Sequence, residues 1–318
     1  MKKSYTIIDH NGNPKKVRVS GDDASLSKKS PLTKVLFAIV FLIFVLYSIT
    51  LIIPFVFLVL NAMKGRLEYV NALNEGNILA FPKKWLFSNF IDAFSEMKMV
   101  NSLGDYVYLP QMLVNSIWMS ISSVVCGIMA SAIVAYSLAK YKFKLHGFIW
   151  GICIFNMTIP IIGSTGSAFK LYIDIGIYNT PLFVFLTSFG GFGFNMLILY
   201  GFFKNISWSY AEAVFIDGGG HATVFFKIML PQALPPMMTL AIMSFIGCWN
   251  DYMSPLLYMP DYPTLASGIY KIQTTMKRDG HYPLYFAGLV IATVPVVAIY
   301  AIFSDMIMKN FTVGGLKG

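Results

Sequence analysis

The stretch Ser207-Trp-Ser-Tyr-Ala-Glu212-Ala-Val-Phe-Ile-Asp217-Gly-Gly-Gly-His221-Ala-Thr-Val-Phe-Phe-Lys-Ile228-Met-Leu-Pro231 joins two long apolar segments, and its punctuation decides how the rest of the chain is read. Ser209 and Glu212 have the spacing of a capping box, which predicts a helix from about Tyr210. Gly218, Gly219 and Gly220 then end that helix, because glycine enters the left-handed conformation at little steric cost. A second apolar stretch runs from His221 to Leu230. Pro231 has no backbone N–H and is expected to break the chain before the next segment. Two short helices and a glycine turn therefore make a compact knob.

Both flanks of the knob are apolar enough to lie in lipid. A span needs about 20 mostly apolar residues, because the hydrocarbon core is about 30 Å thick and a helix rises about 1.5 Å per residue. Six segments qualify: Val35–Leu60, Met112–Leu138, Phe148–Phe169, Pro181–Phe203, Pro235 to about Tyr258, and Leu284–Met308. Their apolar runs are continuous rather than alternating, and backbone in lipid must satisfy its own hydrogen bonds, so helices are expected rather than strands. Prolines 54, 160 and 295 are expected to kink spans. The fold class is an all-α integral membrane protein with six transmembrane helices.

Composition points the same way. Of 318 residues, 56% are hydrophobic and 12% charged, where a soluble domain carries about 25% charged. Mean hydropathy is +0.64. These values exclude an ordinary soluble enzyme and a disordered tail, and three cysteines exclude a disulfide scaffold. The net charge of +9 suits an anionic membrane surface, and no nucleic-acid partner is expected. With both ends on one side of the membrane, that side holds fifteen Lys and Arg against nine on the other, with Lys140, Lys142 and Lys144 as the clearest marker. The excess places both termini in the cytoplasm.

The chain divides accordingly. Residues 1–34 form a polar cytoplasmic tail with no apolar stretch, so the first span, 35–60, reads as a retained signal anchor. Residues 61–110 form an outer loop, where Leu86, Phe87, Phe90, Ile91, Phe94 and Met97 recur at helical spacing after Ser88, a candidate N-cap. Residues 111–308 form a core of five helices containing the knob at 207–231, and 309–318 a cytoplasmic C-terminal tail.

The knob resembles the EAA loop of permease subunits of binding-protein-dependent ABC importers. That pattern is Glu-Ala-Ala, three residues, Gly, nine residues, Ile, any residue, Leu-Pro. Here it reads Glu212-Ala213-Val214, Gly218, Ile228, Leu230 and Pro231, with every gap matching. Val214 replaces the second alanine, and Gly219-Gly220 replace a more common Ala-Ser-type continuation after Asp217-Gly218. The resemblance extends to one subunit type of maltose-type carbohydrate importers. It is carried by Phe81-Pro82, Asn89-Phe90, Asn115-Ser116, Trp249-Asn250-Asp251, Pro255-Leu256, Pro263-Thr264-Leu265 and the terminal Gly314-Gly315-Leu316-Lys317-Gly318. It covers Phe81 to the last residue.

The resemblance implies a type I importer permease in the cell membrane that forms a path for a sugar or oligosaccharide. It implies four partners: a second permease subunit, a cytoplasmic ATPase dimer, an extracytoplasmic solute-binding protein and the carbohydrate itself. It also implies that the EAA helix docks on the ATPase. Ala213, Val214 and Ile216 would then supply packing area, Glu212 would cap or pair with a basic group, and Asp217-Gly218 would set the turn. No Gly-x-x-x-x-Gly-Lys-Ser/Thr loop occurs, so ATP hydrolysis is expected on a separate subunit and the chain is expected to be no enzyme.

A sugar path needs hydrogen-bonding and aromatic side chains, since hydroxyls do not cross bare hydrocarbon. Asn156, Asn195, Trp249, Asn250, Asp251 and Tyr252 are the candidates, each either lining a path or making a polar contact between helices. Cys126, Cys153 and Cys248 sit singly in spans and read as small packing residues. The four histidines lack ligand spacing, so neither a metal nor a cofactor is expected. Gly190-Gly191-Phe192-Gly193 reads as close helix packing. Residues 260–282, with Lys271, Lys277 and Arg278, form either a docking site for the binding protein or a solvated hairpin. An ion- or proton-coupled secondary transporter is the alternative reading. It would want several ionisable groups within the spans, where only Asp251 and Asp305 occur.

Overall fold

A computed structural model describes residues 3–8, 14–19, 31–159, 163–279 and 281–313, in two units, Met1–Phe57 and Leu58–Gly318. The first unit holds an antiparallel hairpin, β1 (Lys3–Ile8) and β2 (Pro14–Val19), in register from Lys3↔Val19 to Ile8↔Pro14. It also holds most of α1 (Pro31–Ala62). The apolar window of α1 buries none of its residues within the chain. A helix that is apolar all round is stable when lipid or a partner covers it.

The second unit begins with the last turn of α1, where Leu60, Asn61 and Ala62 are buried. α2 (Arg66–Asn74) and α3 (Ser88–Glu96) follow, then a short hairpin of β3 (Lys98–Val100) and β4 (Tyr106–Tyr108). Asn89 of α3 donates to the carbonyls of Ala62 at 2.7 Å and Lys64 at 3.0 Å, satisfying acceptors that the end of α1 leaves free. The amphipathic helix expected in this region is present. It starts at Ser88, with Phe87 rather than Ser88 at the N-cap position.

Then come α4 (Leu109–Lys140), α5 (His146–Thr158), α6 (Thr165–Asp174), α7 (Pro181–Ser188), α8 (Phe194–Asn205) and α9 (Ser209–Ile216). The chain continues as α10 (His221–Asn250), α11 (Met253–Tyr258), α12 (Leu265–Asp279) and α13 (Tyr282–Val313). Each of the six apolar segments is helical over most of its described residues. Among the described residues four helices are long and apolar enough to cross a membrane, lying in α1, α4, α10 and α13. The third and fourth segments are each broken in two, and the fifth is interrupted at Asp251.

The breaks have local causes. Ile159 is extended at φ −102°, ψ 109°, the conformation that a following proline imposes, and Gly163 turns at φ +82°. The α7–α8 break contains Gly191 at φ +58°, against α4: a Cβ there would lie 3.3 Å from Val134 Cγ2 and 3.4 Å from the Ala130 carbonyl. Within Gly190–Gly193 the close approach is therefore made by Gly191 alone; a Cβ on Gly190 or Gly193 would meet nothing within 4 Å.

α4 is the central helix, packed against α7, α8, α10 and α12. Ala132 and Ala135 are fully buried on it and let its neighbours come close. One apolar cluster joins its C-terminal half to Met196, Leu199 and Phe203 of α8 and to Val224, Met229 and Ala233 of α10. A smaller one joins Met119 to Phe183, Val184 and Met259. At that second end, Met112 and Met97 fill the notches left by Gly268 and Gly288, and Ser116 Oγ accepts from Leu265 N at 2.7 Å.

Two boundaries differ from the sequence reading. α10 begins at His221 and runs unbroken through Pro231, Pro235 and Pro236 to Asn250, instead of starting at Pro235. Its turns over Val224–Met229 are π-helical, and Leu230 N bonds the carbonyl of Phe225, five residues back. The register shift places Pro231, which has no N–H to offer, at the first turn of the following α-helical part, where the helix tolerates it. The helix also ends earlier, at Asn250 instead of Tyr258, because Asp251 is extended at φ −71°, ψ 105°. Residues 265–279 form the helix α12, not a hairpin, with Leu265, Ile269 and Ile272 buried.

Candidate functional site

The knob is α9, the Asp217–Gly220 turn and the start of α10. The capping box is not formed: Ser209 is the first helical residue behind Trp208, and Ser207 Oγ accepts from Ser209 N at 3.3 Å. The end of α9 is a Schellman turn. Gly218 has φ +79°, its N–H reaches the Phe215 carbonyl at 3.1 Å, and Gly219 N–H reaches the Val214 carbonyl at 2.8 Å. Ala211 is fully buried under α9, whereas Glu212, Ala213 and Asp217 face outward and Ile216 is 86% exposed. Val214 is half-buried. A Cβ on Gly219 would lie 2.5 Å from Val214 Cγ1 and 3.0 Å from the Val214 carbonyl oxygen. The two departures from the EAA pattern meet here, since the larger residue at 214 occupies space that only glycine leaves at 219. Ile228 and Leu230 are half-buried and Pro231 is exposed, all on the first turns of α10.

An aromatic cluster fastens the knob to the end of α4. Tyr141 packs edge-on against Trp208 at 5.8 Å and His221 at 5.5 Å, and Phe215 packs against His221 at 5.0 Å. Hydrogen bonds run through the same rings: Tyr136 and Tyr141 hydroxyls lie 3.1 Å apart, and the Tyr141 hydroxyl lies 2.9 Å from His221 Nδ1. Lys140 Nζ donates to the Ile206 carbonyl just before α9.

Toward the far end of α10 lies a cleft of about 430 Å³ between α4, α6, α7, the start of α8, α10 and α11. Its polar lining includes Ser120, Ser123, Thr187, Ser188, Asn195, Ser244, Asp251 and Ser254. Its aromatic lining is Tyr172, Phe183 and Tyr258, with ring centroids 5.0 to 5.2 Å apart. Asn195 donates to Ser244 Oγ at 3.2 Å. Asp251 Oδ1 accepts from the N–H groups of Met253 and Ser254, both at 3.0 Å, so its carboxylate starts α11 and still borders the cleft. Thr187 and Ser188 bring the broken α7–α8 segment to the cleft. Irregular backbone at membrane depth is tolerated in such a setting.

A latch holds the loops beyond the cleft. Asp261 accepts from Ser102 N at 3.0 Å, from the Ser102 hydroxyl and from Asn179 Nδ2 at 2.5 Å, and its N–H reaches Asn179 Oδ1 at 3.1 Å. Burial alone would raise the Asp261 carboxyl, but these bonds hold it below the ordinary carboxylate value.

Of the six path candidates, Asn195 and Asp251 line the cleft together. The other four lie elsewhere. Trp249 is buried and donates to the Ala292 carbonyl at 3.0 Å, joining α10 to α13. Asn250 donates to Ile246 O, Tyr252 stacks on Tyr270 at 4.7 Å, and Asn156 donates to Phe192 O at 3.1 Å.

A knob on one end of a long helix and a hydroxyl-lined cleft at the other fit a transport subunit, and comparison with known proteins decides which. Residues 21–312 match the family described as binding-protein-dependent transport system inner membrane component. The chain belongs to this family. It is a multi-pass membrane permease of an ABC importer, with the type I importer fold, and not an enzyme. Similar permeases include the diacetylchitobiose uptake permease NgcG of Streptomyces coelicolor, 26% identical over 86% of each chain. The arabinooligosaccharide transport permease AraQ of Halalkalibacterium halodurans is 32% identical over 64% of this chain and 73% of its own. A bacterial ABC transporter that imports the acidic polysaccharide alginate has a chain of the same fold, with TM-score 0.67 and 18% identity, covering 88% of this chain and 98% of that one.

Sequence reasoning missed most of the permease's cleft. One signal was available: Ser116, Ser120, Ser123 and Gly127 recur along one face of α4, and the last three line the cleft. The rings of Tyr172, Phe183 and Tyr258 come from three separate elements and carry no common spacing.

Proposed function

We propose that this permease forms one wall of a path for a sugar or oligosaccharide across the cell membrane, and that its path includes the cleft at Asp251. The observation that carries the reading is the cleft's lining of hydroxyls, one amide, one carboxylate and three aromatic rings, a set that hydrogen-bonds sugar hydroxyls and stacks on sugar faces. Relatives that take up diacetylchitobiose, arabinooligosaccharides and melibiose, raffinose or stachyose support a carbohydrate cargo. In this reading the broken segments α5–α6 and α7–α8 are the third and fourth crossings, giving six in all with both termini in the cytoplasm.

The partners are a second permease subunit, an ATPase dimer and an extracytoplasmic solute-binding protein. The knob meets the ATPase through Glu212, Ala213 and Ile216, whose exposure leaves them free to pack on another chain. Val214, Asp217 and Gly218 set the turn behind that face, and Ile228, Leu230 and Pro231 carry the movement into α10. A cysteine at Ala213, crosslinked to the co-expressed ATPase subunit with and without ATP, tests this. The expected result is a crosslink whose yield changes with nucleotide. A stably inserted chain that gives no crosslink while a control pair does would overturn the coupling assignment.

A further inference from the structure

We infer that the cleft selects against acidic carbohydrates, so that the cargo is an uncharged sugar, and that Asp251 sets this preference. The inference rests on the cleft being part of the path. The whole chain carries a net charge of +9, yet the described lining of the cleft contains no Lys, Arg or His, and Asp251 is its single carboxylate. The basic residues that the composition counts are elsewhere. On this wall, a uronate, a sulfonated sugar or a sugar phosphate meets a carboxylate of like sign with no compensating cation. In a cleft walled by protein on several sides, that repulsion is screened less than in bulk water.

An uncharged sugar meets the same carboxylate differently. Oδ1 is occupied by the N–H groups of Met253 and Ser254, which hold the side chain in place, and among the described residues Oδ2 accepts no hydrogen bond. A sugar hydroxyl can donate to Oδ2 in a charge-assisted bond, while Asn195 and Ser244 supply neutral partners and Tyr172 and Tyr258 supply faces for C–H stacking. The chemistry favours hydroxyl donors and penalises anions.

Cys248 supplies the probe, because its thiol is part of the lining, one helical turn before Asp251. In the full chain, co-expressed with its partner subunits in membrane vesicles and carrying Cys126→Ser and Cys153→Ala, labelling of Cys248 would be timed. Three methanethiosulfonates are compared: one bearing trimethylammonium, one bearing sulfonate and one uncharged. The thiolate fraction is common to all three, so it cancels in the ratio of rates. The expected result is a cation-to-anion ratio about tenfold above that of a small free thiol, falling to within about threefold of it in Asp251→Asn. Asparagine keeps an oxygen for the two N–H bonds, so that variant should insert normally. Should it not, a cysteine at Ser120 with Cys248→Ser and Asp251 intact should show the same sign of preference.

Equal rates for cation and anion, or faster labelling by the anion, with brisk labelling by the uncharged reagent, would overturn the charge preference and leave the path reading standing. No labelling of either cysteine by the uncharged reagent would overturn both, without touching the ATPase crosslink.

Discussion

The two ends of α10 are built on opposite plans. At the His221 end, aromatic rings, a hydrogen-bonded pair of tyrosines and a Schellman turn fix a small exposed face, beside a mostly apolar hollow of about 300 Å³ lined by Tyr136, Tyr141, His221 and Phe225. At the Asn250 end, small hydroxyl side chains and a broken neighbouring helix leave a cleft of about 430 Å³. On the proposed function, the knob receives force and has to be stiff, whereas the cleft passes hydroxylated cargo and has to be open and polar. One helix joins the two, so differences in how mutations act at its ends report on the division of labour.

The largest effect is expected at Gly219. Gly219→Ala places a Cβ 2.5 Å from Val214 Cγ1 and 3.0 Å from a backbone oxygen, which the turn cannot absorb without moving. Uptake in cells should fall about tenfold or more while membrane insertion holds, as expected for strain of a few kcal/mol in a packed turn. Val214→Ala in the same chain should recover part of the loss. Normal uptake with Gly219→Ala alone would break the claim that the knob is rigid.

A smaller effect is expected at Tyr141. Tyr141→Phe keeps the rings in contact but removes the hydroxyl between Tyr136 and His221, a cost of about 1–2 kcal/mol that comes mainly from the buried Tyr136, since the exposed His221 can turn to water. Ser244→Ala removes one bond to Asn195 inside a cleft that water can enter, and should cost under about 1 kcal/mol. Thermal unfolding of the purified importer compares the two. Equal shifts would mean that the ends do not differ in stiffness.

The smallest effect concerns the Asp261 latch. Its carboxyl lies below the ordinary value when folded, so its contribution is present at neutral pH and fades as pH falls below about 3.9 and through the folded value. Hydrogen exchange of residues 101–105 and 177–180, compared between wild type and Asp261→Asn, should differ at pH 6, and the difference should narrow as pH falls below about 3.9. A difference that does not narrow at any acid pH at which the chain stays folded would assign the latch to packing instead of charge.

The helices were legible because length and continuous hydropathy suffice for spans. The knob was legible because glycine positions and gaps are local information. Proline misled: Pro231 reads as a breaker, but a π-helical stretch upstream shifts the register so that the missing N–H is tolerated. Asp251 reads as a charge within a span, yet it closes one helix and starts the next, which is how a carboxylate sits there with backbone partners. The β1–β2 hairpin was missed although Asn11-Gly12, a strong turn signal, lies between short β-branched runs. The cleft itself was mostly unreadable, because packing brings its rings together from α6, α7 and α11.

The continuity of α10 also sets a mechanical ratio. Its 30 residues span ~45 Å at the α-helical rise, so a tilt of ~5° about the His221 end swings Asp251 sideways by ~4 Å. That displacement exceeds the diameter of a water molecule and is comparable to the thickness of a sugar ring. A push on the knob too small to break a single packed contact is, at the other end of the rod, the difference between a closed wall and an open one.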